Sequence, residues 1–477
     1  MLSTVSYCLA MGVCGVILVA IGLTLSDLAA NIGLTPEGLG SVFIARGLGA
    51  VVGSLYSAQL YRDFSGNRVV ASALLGLAVT CLYLPVNTTF IGIHIAFLAL
   101  GLGTAITDTG VQILTRKLHG ARAGPYLGLN TVAFGVSGSL MPALSFLAPD
   151  LYTRFAFLAV LILMVLCAVL LSNDPSAAAK AATAGVASND QDILASSSKD
   201  GDEDGPTWTT SHNSEGTMML SPRRTTSSPG GGGVMTIART EGSKLVVGSI
   251  EAGSTASHLA DPQEPPHFYT EMFISAMVFC VIGGKVTVTA YLDAYVRQEV
   301  SAIPIEEEHR LMLCFWIFVT LGRILGIYYQ QTFSDATLPL HLFSAAVSGS
   351  LAGAILFFHP HSASVLWFAI PLYGLCNGPV LGYCYDLNNR LTLPTEKSMA
   401  IVMFGLNLGA SIVPFLSSLV WRTMFGPTTL LAVIFLSLAV PIPFLFLALR
   451  YSYMSSVSIP RVGRPQSYES IPPTPQS

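Results

Sequence analysis

Charge is what this sequence has least of. Of 477 residues only 23 are Lys or Arg and 27 are Asp or Glu, 10% together, where a soluble globular chain carries roughly 25%. Such a chain cannot clothe a water-facing surface on all sides. The net charge of −4 is small, and no nucleic-acid partner is expected of it. Short-spaced cysteine pairs are missing too. Cys8, Cys14, Cys81, Cys167, Cys280, Cys314, Cys376 and Cys384 lie in or beside apolar stretches, where they read as small buried hydrophobes rather than metal ligands. His359-Pro-His361 has no third ligand in sight, so no metal is expected there. No nucleophile–base pair or phosphate loop stands out, which argues against an enzyme and against a cofactor. A cleaved leader is not required either: the first apolar run, Val5 to about Leu25, is too long for a signal core and lacks a basic stretch before it.

What the chain does have is apolar length, with 52% hydrophobic residues. A helix needs about 20 mostly apolar residues to cross roughly 30 Å of hydrocarbon. Windows of that kind fall near 5–27, 38–60, 68–86, 91–115, 124–147 and 152–172, and again near 268–294, 310–330, 338–358, 364–386, 396–420 and 427–450. The expected organisation is a six-helix bundle over 1–172, a linker over 173–267, a second six-helix bundle over 268–451 and a tail over 452–477.

The linker is rich in Ser, Gly, Ala and Thr, with an acidic cluster from Asp200 to Asp204 and the run Pro229-Gly-Gly-Gly-Gly233. It cannot bury enough apolar surface to offset its ordering entropy and is expected to be disordered. Arg223-Arg224-Thr225-Thr226 has the form of a basophilic kinase site, and Tyr468-Glu-Ser-Ile471 in the tail that of a sorting signal. Basic residues concentrate after spans 2, 4 and 10 (Arg62, Arg68, Arg116, Lys117, Arg122, Arg390, Lys397) and in the tail, whereas the opposite loops carry fewer, beside acids such as Glu37 and Glu306–Glu308. By the positive-inside rule both termini and the linker are cytoplasmic. Asn87-Thr88-Thr89 is a glycosylation sequon in a short outer loop, expected to stay unmodified.

The two halves resemble each other. Gly49 and Gly53 of span 2 match Gly322 and Gly326 of span 8, small-xxx-small faces that let helices approach closely. Tyr126 to Pro142 and Ser398 to Pro414 have equal lengths and coincident prolines. Gly101-Leu-Gly-Thr104 answers Gly374-Leu-Cys-Asn377. Two parallel repeats joined by a long linker fit the plan of a transporter whose bundles rock about a midplane site.

Several stretches then point to one family: Gly22-Leu-Thr-Leu-Ser-Asp27 leading into Phe43-Ile-Ala-Arg46-Gly-Leu-Gly49, Thr107-Asp108-Thr-Gly110, Thr320-Leu-Gly322-Arg323-Ile-Leu-Gly326, and Gly374-Leu-Cys-Asn-Gly378-Pro. They resemble the major facilitator superfamily, and within it the branch of the fucose–proton symporter and the sodium-dependent glucose transporter 1. The resemblance covers both bundles and implies an all-α membrane protein, twelve transmembrane helices in two pseudo-symmetric bundles, carrying a monosaccharide. The superfamily's loop between spans 2 and 3 is degraded: in Leu60-Tyr-Arg62-Asp63-Phe-Ser-Gly66-Asn-Arg68, Gly66 and Arg68 fit but Arg and Asp stand in reversed order. Asp63 and Arg68 are gating candidates, and whether Asp63 holds the inward gate stays open.

A charge at the centre of a spanning helix costs about 2.5–3.5 kcal/mol on insertion scales, so such charges are paired, cavity-facing or both. Asp108 is the best placed for ion coupling: a carboxylate in a low-dielectric cavity can load and release a proton, and the resemblance implies coupling acids in spans 1 and 4. The alternative is a fixed pair with Arg116 or a neighbouring helix. Asp27, near the outer end of span 1, is a second coupling candidate; the alternatives are an outer gate or a pair with Arg46. Lys285 stands where relatives tend to carry an acid, so it either neutralises an acid across the cavity or meets an anionic substrate. Arg323 is read as a residue that locks the bundles. Gln112, Asn130, Asn377 and Asn407 supply amides near mid-depth, and Phe134 and Phe404 supply rings, as a sugar site requires. For each amide the alternative is a helix–helix hydrogen bond. Tyr291 and Trp316 are read as packing residues or interfacial anchors, and Asp386, Asn388, Asn389 and Arg390 as inner-gate contacts. The leading expectation is a carrier of a hexose or deoxyhexose, proton-coupled or facilitative. An organic-anion carrier and a non-transporting sensor of the same fold are the alternatives.

Overall fold

The computed structural model describes residues 2–119, 123–148, 150–174, 268–300, 303–333, 335–392 and 396–457. The acidic cluster, the Arg223–Thr226 motif and the Tyr468–Ile471 motif lie outside the described residues. Among the described residues there is no strand. The first half runs α1 (Leu2–Asn31), α2 (Val42–Asp63), α3 (Gly66–Tyr83), α4 (Phe90–His119), α5 (Ala123–Leu147) and α6 (Leu151–Leu171). The second runs α7 (Phe268–Glu299), α8 (Ile305–Thr332), α9 (Leu338–Phe358), α10 (Ala363–Leu391), α11 (Glu396–Val420), α12 (Thr429–Ala439) and α13 (Pro441–Val457). Twelve segments are long and apolar enough to cross a bilayer, the last of them built from α12 and α13. The break falls at Pro441, which has no N–H to continue the α12 ladder.

Several helices outrun their apolar windows. At 30 residues α1 is about 45 Å long, well beyond the hydrocarbon thickness. α4 likewise continues through Arg116, Lys117 and His119, where cations at a helix C-terminus meet its negative dipole end. Backbone hydrogen bonding persists into the headgroup zone after hydropathy has faded. At the other kind of end, Asp150 caps α6 by accepting from the Thr153 N–H at 2.7 Å, and hydrogen bonds from Thr153 hold its carboxyl below the usual carboxylate range.

Burial separates central from peripheral helices. In α1 and α7, 89% and 72% of the apolar window is buried, against 39% in both α6 and α9. α1 and α7 are apolar all round and sit in the protein interior. The outer helices turn side chains such as Met164, Leu171, Leu351 and Phe358 outward, a surface suited to lipid. Cys167 belongs to this outer surface; Cys14, Cys81, Cys376 and Cys384 are buried as expected and the other three are half-buried.

The repeat legible in the sequence is physical contact. In the first half, α2 and α4 close on each other where Gly49 abuts the Leu98 carbonyl and Gly101 abuts that of Arg46. Their counterparts α8 and α10 close where Gly322 abuts the Leu375 carbonyl and Gly378 that of Val319. α1 meets α5 at Gly15 against the Phe134 carbonyl, and α7 meets α11 at Gly409 against that of Phe279. Any side chain at these positions would strike backbone, so the bundles depend on them.

The two ends of the molecule are tied differently. Where α6 stops and α7 begins (the near end), Asn67 is buried and joins three helices. It accepts from the Tyr7 hydroxyl at 2.8 Å and donates to the Val169 and Ser172 carbonyls at 3.1 and 2.9 Å. Asp174, two residues into the segment read as linker, accepts from Ser65 and from the Asn67 N–H at the start of α3. At the far end the bundles meet each other. Gly22 abuts the Thr289 carbonyl and Gly40 abuts Ser418; Gln298 donates to Glu37 at 3.0 Å. Tyr291 packs on Phe43 and Trp421. Tyr291 and Trp316 are both fully buried, which makes them packing residues and not interfacial anchors. Asn87 bonds its own turn through Thr89 and is only 5% exposed, so its amide is already engaged.

A central polar cavity as candidate functional site

Between the bundles, at mid-depth, lies a cavity of about 110 Å³ lined by eight helices. Met11, Cys14 and Leu18 of α1, Arg46 of α2, Thr104, Asp108 and Gln112 of α4, and Thr131 and Phe134 of α5 come from the first bundle. Lys285 and its neighbours on α7, Arg323 of α8, Tyr385 of α10, and Leu406, Asn407 and Ala410 of α11 come from the second. A larger groove of about 520 Å³ lies among α2, α3 and α4. It is mostly apolar, has Arg68 at its rim and draws on one bundle alone. The smaller cavity has the converging polar groups of a binding site and sits at the repeat interface.

Within it, Asp108 accepts a hydrogen bond from Gln112, one turn on, at 3.0 Å. Among the described residues no Lys, Arg or His forms an ion pair with Asp108, Arg116 included. Lys285 is 1% exposed and its Nζ has no hydrogen-bond partner; the Nε of Arg46 is buried and in the same condition. Arg323 is committed: its guanidinium donates to the Thr131 carbonyl across the bundle boundary and lies over the Phe134 ring, 5.0 Å from the centroid. Asn407 also crosses the boundary, donating to Ser54 at 3.2 Å. Asp108, Gln112, Phe134, Lys285, Asn407, Arg46 and Arg323 therefore share one cavity.

Other expected site residues lie elsewhere. Asn130 is buried between helices, donating to Thr115 at 3.1 Å and accepting from the Cys8 thiol. Asn377 is fully buried on α10 and donates to the Val281 carbonyl at 3.2 Å. Both took the helix–helix alternative. Phe404 is 53% exposed and does not line the cavity; its depth suits a sugar site but its azimuth does not. Asp27 pairs with Arg154 of α6 at 3.5 Å rather than with Arg46. Arg154 is 8% exposed and also donates to the Ala148 carbonyl at 2.8 Å. Asp63 is exposed and neighbours Arg62 at 3.4 Å. Asp386 and Arg390 pair along one helix, at 3.0 Å through Nε. His361 lies 3.2 Å from Glu299, and among the described residues no cluster of metal-ligand type occurs.

Some residues of the site and its gate went unread in the sequence. Tyr385 lies four residues before Asn389, and Thr131 three before Phe134; one-turn spacing from named neighbours was the available signal. A far-end charge cluster was also missed. There Glu308 accepts from Arg297 at 2.8 Å, and Asp293, with one buried oxygen lacking a partner, stands 3.8 Å from His309. His309 in turn meets the Phe146 ring of the first bundle edge-on.

The family model for the Major Facilitator Superfamily matches residues 2–392. Among curated proteins, sodium-dependent glucose transporter 1A of Mus musculus is 23% identical over 134 residues, 28% of this chain and 32% of that one. The match thus spans about a third of that relative's length. Among solved structures, the D-xylose-proton symporter superposes with a TM-score of 0.61 at 11% identity, covering 92% of this chain and 97% of that one. The inward-open xylose transporter of E. coli gives 0.62 at 11% identity, with 94% and 95% covered. Its partially occluded inward-open form gives 0.61 at 12% identity, with 93% and 98% covered. At such identities the likeness is one of fold. With the family model reaching from α1 into α10, the chain belongs to the major facilitator superfamily and is a multi-pass membrane transporter, not an enzyme.

Proposed function

We propose that the chain carries a monosaccharide, a hexose or deoxyhexose, across the plasma membrane by alternating access, with the linker and both termini on the cytoplasmic side. The observation that carries this reading is the mid-depth cavity, to which both bundles contribute amides, hydroxyls and an aromatic ring. The relatives with printed sugar substrates, the glucose and xylose transporters, support the substrate class. The bundles close on each other at the far end through Gly22, Gly40 and Tyr291. Opening that seal while closing the near end would expose the cavity to the other side. Asp108 is the proposed proton carrier. It takes up a proton on one side and releases it on the other, with Gln112 holding the carboxylate in place between the two. Asp27, held by Arg154, braces α1 against α6 at the far end of the first bundle. A second reading, an organic-anion carrier, is favoured by the three cations around one carboxylate.

The test is uptake of a hexose, deoxyhexose and hexuronate panel by the purified full chain in proteoliposomes, with and without proton and sodium gradients. Saturable uptake of at least one sugar is expected, raised by an inward proton gradient. Absence of uptake for every member under either gradient overturns the reading.

A further inference from the structure

We infer that the monosaccharide bound in the central cavity carries a carboxylate, held by Lys285 from the second bundle and Arg46 from the first. This rests on the monosaccharide-carrier reading and narrows its substrate class. The cavity brings together Arg46, Lys285 and Arg323 around one carboxylate, Asp108. A neutral hexose leaves that excess of positive charge uncompensated. Burying an ion without a counter-ion is expensive, and such residues inside membranes mark substrate pathways.

The three cations are not equivalent. Arg323 spends its guanidinium on the Thr131 carbonyl and the Phe134 ring, so it sets the field and joins the bundles. Lys285 and Arg46 each present a buried nitrogen with no partner. Lys285 does not serve to neutralise Asp108, since the two form no ion pair and the hydrogen bond to Asp108 comes from Gln112. What is missing is an acceptor-rich anion that can take a point charge from Lys285 and an N–H from Arg46 at once. A carboxylate does this, because charge-assisted bonds to its two oxygens can run to separate donors. The rest of the lining suits the hydroxyl-bearing remainder of such a solute: Gln112, Asn407, Thr104 and Tyr385 offer amide and hydroxyl groups. Because one cation comes from each bundle, the anion would also bridge the two halves as they close.

The experiment compares D-glucuronate, D-glucose and D-glucose 6-phosphate on the full chain in proteoliposomes, with thermal stabilisation in detergent as a second readout. Glucuronate is expected to be taken up and to stabilise the protein, with a preference over glucose of about tenfold or more. Lys285→Gln is expected to cut glucuronate uptake about tenfold or more and to bring the two sugars closer together, with Lys285→Arg restoring part of the preference. If Lys285→Gln does not fold, stabilisation of the wild-type chain by glucuronate but not by glucose still decides the matter. Glucose carried as well as glucuronate overturns the carboxylate while leaving the sugar carrier standing. Competition by glucose 6-phosphate but not by glucuronate overturns it in favour of a phosphate. Transport of none of the panel under any gradient overturns the carrier reading itself.

Discussion

At the far end of each bundle, a buried charge comes with an opposite number nearer the surface: Arg154 with Asp27 in the first, Glu308 with Arg297 in the second. At mid-depth, Arg46, Lys285 and Arg323 share a cavity with one carboxylate and none of them forms an ion pair with it. Both regions cost desolvation energy, and only the first recovers part of it through ion pairs within the chain. Charges that are already satisfied brace one helix against another inside a bundle, α1 against α6 and α7 against α8. Of the mid-depth cations Arg323 is committed to Thr131 and Phe134, while Lys285 and Arg46 each keep a nitrogen available to something that comes and goes. The contrast separates a brace from a site in a chain that has few charges for either.

Substitutions that move a residue from one class to the other would break this contrast. The largest effect is expected from Arg323→Ala, which removes both the cross-bundle bond to Thr131 and the contact with Phe134. Uptake should fall by about tenfold or more, and stability should drop by about 1–3 kcal/mol, because the Thr131 carbonyl is left without its donor. Transport rate and melting temperature would read the two effects together. Next comes Arg154→Ala, which leaves Asp27 and the Ala148 carbonyl without their donor. A loss of about 1–3 kcal/mol in stability is expected, with the ranking of transported solutes unchanged. A changed solute ranking would move Arg154 from the brace to the site. Asn130→Ala should cost about 1 kcal/mol through its lost bond to Thr115, with KM unaltered. Phe404→Ala should be the mildest, within about 0.5 kcal/mol and neutral in transport; a raised KM would show that the ring reaches solute in another conformation.

The spans were legible because the bilayer demands an unbroken apolar length, and no other physical setting asks for twelve of them. The repeat was legible because close helix approach demands glycine at fixed spacing, as at Gly49 and Gly322. Depth could also be read by counting residues, which put Asp108 in the inner half of span 4, Lys285 in the outer half of span 7 and Arg323 near the middle of span 8; all three line the cavity. Azimuth could not. A spanning helix is apolar toward lipid and toward its own bundle, so Phe404 and Asn130 had the right depth and the wrong face. Charge pairing was hidden for a related reason. Asp27 lies 127 positions from Arg154, and the choice of that partner over Arg46 depends on which helices pack side by side. The degraded loop between spans 2 and 3 drew attention to Asp63, while the structural weight there falls on Asn67, whose amide joins α1, α3 and α6.

The most direct test of the mid-depth site is solute accumulation in proteoliposomes by the wild-type chain and Asp108→Asn under an inward proton gradient. The wild type should concentrate its solute, whereas Asp108→Asn, still able to hydrogen-bond Gln112, should exchange solute across the membrane without concentrating it. Undiminished accumulation by Asp108→Asn would contradict the assignment of the proton to this cavity.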